Sequence, residues 1–226
     1  MKIFLDTADC DAICKHSTTG MIDGITTNPT LIRKSGRNVE EVYQEIKDIG
    51  MKDISMEVVV YKLNMISEGK RLHKKYGRVS TIKVPCTREG LAACRVLAEE
   101  GIRVNVTLIF SEAQAILASK VGAAYVSPFV GRVDDNSFGG VELVKNIVAL
   151  YREQQVETEV LAASLRDVHS VSRCFGYGAH IVTMPPSVFE KMYDHVLTEK
   201  GLTQFDKDWK AAHEVLFQEA LNDTLH

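Results

Sequence analysis

The chain lacks any apolar run of about 18 residues or more, the length a helix needs to cross the hydrocarbon core of a bilayer. A membrane-spanning helical protein is therefore not expected. It also lacks an imbalance of charge, since 27 Lys and Arg stand against 30 Asp and Glu for a formal net charge of -3. Nucleic-acid binding normally shows as a clustered basic face, and its absence makes small-molecule chemistry the first expectation. Met1 to Asp9 holds two acids and no secretory apolar stretch, so the expected compartment is the cytoplasm. Cysteine is scarce, and its five copies are an odd number that does not suggest a disulfide framework. Cys10 and Cys14 fall on one face of a predicted helix, but no second pair or nearby histidine completes a zinc site. All five read as reduced thiols, mostly buried. Internal repeats, low-complexity segments and interdomain linkers are missing as well.

What is present is a chain of 226 residues, 45% of them hydrophobic, the size of one folded domain rather than a disordered or collagen-like one. Eight strand-like runs recur with helical segments between them: 2–6, 22–26, 54–60, 79–84, 103–108, 124–128, 157–163 and 180–184. This alternation predicts parallel βαβ units. Without a C-terminal tail, about 25 residues remain per unit, close to the lower limit for a closed eight-unit barrel. The expected fold class is therefore α/β, a compact (β/α)8 or TIM barrel over 1–201, followed by an extra C-terminal helical tail over 202–226.

Helix punctuation supports that frame. Ser111-Glu112-Ala113-Gln114 reads as a capping box and Gly122 as the stop of the same helix. Ser187-Val188-Phe189-Glu190 reads as a second box, and Gly101 and Gly201 stand where left-handed C-caps are expected. In the tail, Phe205, Trp209, Ala212, Val215, Leu216 and Ala220 share roughly one face of a helix over 204–221. That stripe packs either on its own barrel or on a neighbouring subunit. Glu40-Glu41 and Lys74-Lys75 read as solvated helix faces.

Strands of a parallel barrel are covered on both faces and should be almost continuously apolar, so polar residues inside them require a reason. Asp6 ends the first strand, Asn28 follows the second, Glu57 interrupts the third and Lys83 the fourth. Asn105 and Thr107 share a face of the fifth, Ser127 and Ser164 end the sixth and seventh, and Arg132 and Arg166 follow in the loops. Nearly all lie at strand C-terminal ends, where barrel enzymes place their chemistry.

Lys83 is the most informative of these. Burial disfavours an ammonium and frees the amine to attack a carbonyl, although a gatekeeper or ion-paired lysine would look the same. Asp6 and Glu57 suit the proton transfers needed to cleave a carbon–carbon bond beside a hydroxyl. Asp6 alternatively caps a helix starting near Thr7, and Glu57 alternatively forms a buried pair. Arg132 and Arg166 offer forked donors to a phosphate, with Ser164 adding a hydroxyl, or they are surface ion-pair partners. Asn28, Asn105, Thr107 and Ser127 taken singly are also compatible with turns or bound water. The seven histidines show no ligand cluster beside these groups, so no metal is expected.

Six stretches together resemble the transaldolase family: Phe4-Leu5-Asp6-Thr7-Ala8, Gly24 to Leu31 (GITTNPTL), Ile82-Lys83-Val84-Pro85, Asn105 to Ser111 (NVTLIFS), Ser127 to Arg132 (SPFVGR) and Leu161 to Arg166 (LAASLR). The likeness runs in order along almost the whole chain and points to the family's small branch, which includes fructose-6-phosphate aldolases. The resemblance implies that Lys83 is the Schiff-base lysine and Asp6 the acid/base at the C4 hydroxyl, with Glu57 and Thr107 holding the catalytic water. It implies that Asn28, Asn105 and Ser127 bind substrate hydroxyls, and that Arg132, Ser164 and Arg166 hold the phosphate. The implied reaction moves a dihydroxyacetone unit from a ketose phosphate to an aldose phosphate, without an organic cofactor. Aldolases of this branch typically carry glutamine at the position of Glu57 and tyrosine at that of Phe129, so both residues here favour a transaldolase. The resemblance also implies a homo-oligomer, a pentamer or decamer whose terminal helix crosses to a neighbour.

Overall fold

The structure, a computed structural model, describes residues 1–58 and 64–223, with side chains through residue 213. Its eight strands are β1 (Lys2–Asp6), β2 (Gly24–Thr26), β3 (Ile54–Glu57), β4 (Ser80–Pro85), β5 (Val104–Ile109), β6 (Tyr125–Pro128), β7 (Glu159–Ala162) and β8 (Ile181–Met184). They pair in sequence order, all parallel, and β8 closes onto β1. The expected (β/α)8 barrel is present. Val59 and Val60 of the predicted third strand lie outside the described residues.

Helices return the chain between strands: α1 (Cys10–Ser17), α2 (Pro29–Ser35), α3 (Val39–Asp48), α4 (Met65–Tyr76), α5 (Arg88–Glu99) and α6 (Glu112–Lys120). They are followed by α7 (Val130–Asp134), α8 (Gly140–Glu153), α9 (Val168–Gly176) and α10 (Pro186–Lys191). The starts are chemically explicit. Asp9, Asn28, Asn38, Asn64, Thr87, Ser111 and Asp167 each accept a hydrogen bond from a first-turn backbone N–H, satisfying donors that the helix leaves unpaired. The cap of α1 is thus Asp9, which leaves Asp6 out of that role.

Two cap expectations are corrected. Pro186 opens α10, its fixed φ and missing donor suiting the first turn, so Ser187 lies inside the helix. Gly201 lies inside α11 (Val196–Asp223), where a glycine costs about 1 kcal/mol without breaking the run. Gly101 and Gly122 do take positive φ, 75° and 83°. At α6, Ser111 caps Gln114 as expected, but the Gln114 side chain reaches back to the N–H of Phe110 (2.7 Å) rather than that of Ser111. Glu41, Lys74 and Lys75 are exposed as expected, whereas Glu40 is half-buried and paired with Arg71 and Lys75.

The main core lies between the strands' outer faces and the helices, with Leu5, Ile25, Ile54, Ile82, Val104, Val126 and Val182 fully buried there. Each such side chain contributes roughly 1.5–3 kcal/mol of burial. Inside the bore, Phe4, Tyr125, Phe129, Leu161, Ala163 and Ile181 form a smaller apolar cluster on β1 and the later strands. Gly24 makes room for it, because a Cβ there would stand 2.7 Å from both the Phe4 ring and the Asp53 carbonyl.

At the lower, N-terminal end of the bore, Asp53 accepts from Thr81 (2.8 Å), Arg103 (2.6 Å) and Tyr125 (2.7 Å). Arg103 also donates to the Arg78 carbonyl (2.8 Å). Burial, helped by the Asp53 carboxylate, pushes the Tyr125 phenol up and keeps it protonated.

The chain divides into two compact units, Met1–Phe189 and Glu190–His226. In the second, Leu202, Phe205 and Trp209 are exposed, whereas Val215, Leu216 and Ala220 of the predicted stripe lie outside the described side chains. Among the described residues no helix is long and apolar enough to cross a membrane. All five cysteines are free thiols; Cys10, Cys94 and Cys174 are buried, Cys86 half-buried and Cys14 exposed.

Candidate active site

The upper, C-terminal end of the bore collects the polar strand residues. β3 and β4 run in a register that sets Glu57 beside Lys83, and their side chains meet at 2.9 Å (Oε2 to Nζ). Lys83 is 5% exposed and also donates to the Thr27 carbonyl at 3.0 Å. The alternative of a buried pair for Glu57 is therefore real, and each member also lines a cavity: Lys83 the one that Asp6 lines, Glu57 a neighbouring one, with Asn28 lining both.

Asp6, Asn28, Lys83, Ser127, Phe129, Arg132 and Ser164 line one cavity, walled on its apolar side by Leu161 and Ala163. Asp6 accepts from the Thr26 hydroxyl at 2.8 Å (Oδ1). Burial holds its carboxyl above the usual carboxylate range, partly opposed by Lys83, the Thr26 bond and Arg132, while Glu57 pushes the same way as burial. A carboxylate so placed holds a proton more readily than a solvated one, which suits a group that must accept and return one.

Asn105 is fixed at both ends of its amide. It donates to Ser55 (3.2 Å) and accepts from Ser127 (2.7 Å), all three side chains being buried. Asn28 ends β2 and caps α2 with its amide oxygen, which accepts from Leu31 at 3.0 Å. At Thr107 the β5–β6 register shifts between Val106 and Ile109, and Leu108 takes φ 59°. The Thr107 hydroxyl is the one buried side-chain polar atom with no partner among the described residues. Such an orphan is a natural seat for a water molecule.

The two arginines differ. The Arg132 guanidinium lies over the Phe129 ring, 4.8 Å from its centroid, with no carboxylate partner among the described residues. Arg166 forms a bidentate pair with Asp135 at 2.5 and 2.6 Å. Ser164 takes φ 57°, and its carbonyl accepts from Gly131 at 3.1 Å, tying the end of β7 to the start of α7. A non-glycine residue in that region is strained, and such strain tends to collect at functional sites. The bore thus brings ten of the expected residues to its upper end, whereas Arg166 is engaged at the exposed rim. Sequence reasoning missed Thr26, Ser55 and Thr183. The signal was available for two of them, since Thr26 and Ser55 lie two residues before Asn28 and Glu57.

The sequence pattern of the Transaldolase/Fructose-6-phosphate aldolase family matches residues 3–226. The chain belongs to this family. A protein of Paracoccus denitrificans (strain Pd 1222) named "Probable transaldolase" is 50% identical over 210 residues, covering 92% of this chain and 96% of the relative. A namesake from Caulobacter vibrioides (strain NA1000 / CB15N) is 51% identical over 210 residues, with the same coverage. Another from Roseobacter denitrificans is 48% identical over 211 residues, covering 93% and 97%. At this similarity the barrel is that of a transaldolase-family enzyme.

Proposed function

We propose that this chain is a transaldolase of the non-oxidative pentose phosphate pathway, a cytoplasmic transferase of aldehyde or ketone residues that uses Schiff-base chemistry. The donor is sedoheptulose 7-phosphate or fructose 6-phosphate, and the acceptor is erythrose 4-phosphate or glyceraldehyde 3-phosphate. The observation that carries this reading is Lys83, buried inside a strand, within 2.9 Å of a carboxylate and lining the cavity that Asp6 also lines.

The Lys83 amine adds to the donor's C2 carbonyl, and loss of water gives an iminium. Asp6 takes the C4 hydroxyl proton, the C3–C4 bond breaks, and its electron pair passes into the iminium to leave an enamine. The released aldose phosphate departs. The enamine carbon then attacks the acceptor aldehyde, Asp6 returns its proton to the new hydroxyl, and water hydrolyses the iminium to free Lys83. Glu57 and Thr107 hold the water that is lost and regained. Asn28, Asn105 and Ser127 bind hydroxyls of the bound sugar, and Phe129 supports Arg132. Arg132, Ser164 and Arg166 receive the phosphate, with Arg166 exchanging Asp135 for it.

Two residues favour transfer over simple aldol cleavage. Glu57 keeps a charge beside the water, and Phe129 has no hydroxyl with which to protonate the enamine. The test follows glyceraldehyde 3-phosphate release from fructose 6-phosphate with and without erythrose 4-phosphate, in chelator. Release that requires the acceptor is expected. Equal release without it makes the chain a fructose-6-phosphate aldolase, and binding of the sugar phosphate without release makes it a non-catalytic binding barrel. The exposed Leu202, Phe205 and Trp209 support a homo-oligomer, a pentamer or decamer, in which this helix crosses to a neighbour. Truncation after Gly201 that left the mass by light scattering unchanged would count against that assembly.

A further inference from the structure

β1 carries Asp6 between two neighbours, β2 and β8, and each of these contributes one threonine to the cavity that Asp6 lines. The registers set Asp6 against Thr26 and Phe4 against Thr183. The two threonines are each 2% exposed, and their hydroxyl oxygens stand 2.7 Å apart. Both are β-branched, which narrows their rotamer choice and fixes this meeting point.

A hydroxyl has one proton to donate and two lone pairs to accept with. While Asp6 is a carboxylate it can only accept, so the proton of Thr26 goes to Asp6 Oδ1, at 2.8 Å. The short contact between the threonines must then be donated by Thr183. The proton order is therefore set: Thr183 to Thr26 to Asp6. A hydroxyl that is itself accepting a hydrogen bond is a stronger donor, and the gain is larger where the final acceptor is charged and water is scarce. Among the described residues no hydrogen bond reaches Oδ2, which leaves that oxygen for a substrate proton.

We propose that Thr183 is a positioning residue for the acid–base step, acting through Thr26 to hold Asp6 ionised and oriented with Oδ2 free. The role in turnover rests on the transaldolase reading, whereas the effect on the carboxylate does not. The charged groups facing Asp6 are Lys83 from β4, Glu57 from β3 and Arg132 from α7, and among the described residues none of them is hydrogen-bonded to Thr183.

The test compares Thr183→Val, which keeps the shape and removes the hydroxyl, with Thr183→Ser, which keeps the hydroxyl. The first readout is the titration of the Asp6 carboxyl by 13C NMR in the ligand-free protein, which needs no turnover. Thr183→Val is expected to move that titration upward by about half a pH unit, and Thr183→Ser to leave it within a tenth or two. Thr26→Val should move it at least as far, and Thr183→Val added to Thr26→Val should move it no further. The second readout is the pH profile of transfer from fructose 6-phosphate to erythrose 4-phosphate. Its acid limb should follow the NMR shift in Thr183→Val, with kcat down roughly three- to tenfold and KM little changed. Unchanged titration in Thr183→Val, or equal and additive shifts in the two valine variants, overturns the proposal. An inactive wild-type enzyme with the NMR shifts present instead overturns the transaldolase reading alone.

Discussion

Two groups of charged and polar side chains stand at opposite ends of one bore, around the buried Asp53 and the buried Lys83, and they are built on opposite terms. At the lower end Asp53 has both oxygens filled by three donors, and Arg103 divides its own donors between Asp53, Tyr125 and a backbone carbonyl. At the upper end Lys83 and Glu57 are paired, but among the described residues the Thr107 hydroxyl has no partner, Arg132 has no carboxylate, and Asp6 receives one hydrogen bond on one oxygen. Both ends use an acid, a base and hydroxyls. The difference is in completeness: a saturated network can only hold, whereas an unsaturated one beside a cavity has groups left for a substrate. A buried ion pair is thus a poor guide to function until the unfilled valences around it are counted.

Breaking each end should separate the two properties. The largest effect is expected for Lys83→Met, which should lower transfer activity by on the order of 10⁴-fold or more. Borohydride trapping with fructose 6-phosphate, read by mass spectrometry, should then add no mass at this position. Persistent labelling in the variant would reject Lys83 as the Schiff-base residue.

Asp6→Asn should cost roughly 10²- to 10⁴-fold in kcat and at the same time raise the melting temperature. Burial raises the Asp6 pKa, so the folded chain binds that proton more tightly than the unfolded chain does. Its stabilising contribution is whole below the unfolded value of about 3.9 and disappears as pH rises through the raised folded value. At neutral pH the ionised group opposes folding, and a neutral isostere removes that opposition. Calorimetry at pH 7 showing a lower melting temperature would contradict this sign.

The lower end should respond in the reverse way. Asp53→Ala strands Arg103 and two hydroxyls and should destabilise the fold by about 2–4 kcal/mol in urea unfolding. The kcat/KM of the surviving folded enzyme should stay within about threefold of wild type. A large kinetic loss would mean that the two ends are coupled through the bore.

The smallest effect concerns the arginines. Arg132→Ala should raise the KM for sugar phosphates by roughly 10- to 100-fold, because a free guanidinium is removed. Arg166→Ala should raise it less, since phosphate must first displace Asp135 there. Steady-state kinetics with both variants decides the order.

Much of the barrel was legible because its signal is a conflict: lysine, glutamate and asparagine stand inside runs that should be apolar, and such residues are conspicuous. The strand boundaries lie within a residue or two of those expected, except that β3 ends at Glu57, short of the expected 54–60 run whose last two residues lie outside the described ones. Thr26, Ser55 and Thr183 were not legible in that way, because threonine and serine are ordinary in strands and only the closed bore brings their hydroxyls to Asp6 and Asn105. The Asp53 network escaped because Asp53 precedes its strand and its partners are distant in sequence, on three other strands or their edges. Gly201 misled because a glycine after a charged residue such as Lys200 looks the same at a helix end and inside a long helix. Arg166 was left between a phosphate donor and a surface ion-pair partner, because a sequence does not reveal that Asp135 pairs with it.

Asn28 begins α2 with the same amide that lines the cavity. Its oxygen is tethered to the first turn of the helix, so the side-chain plane cannot flip end for end without uncapping α2. The NH2 group is consequently oriented in the ligand-free chain, and under the proposed transaldolase reading a sugar hydroxyl meeting it would freeze no rotamer in doing so. Discrimination between donor and acceptor at this spot is thus stored in the start of a helix. Exchanging the amide for a carboxylate would preserve the helix cap and turn a donor beside the cavity into a negative charge.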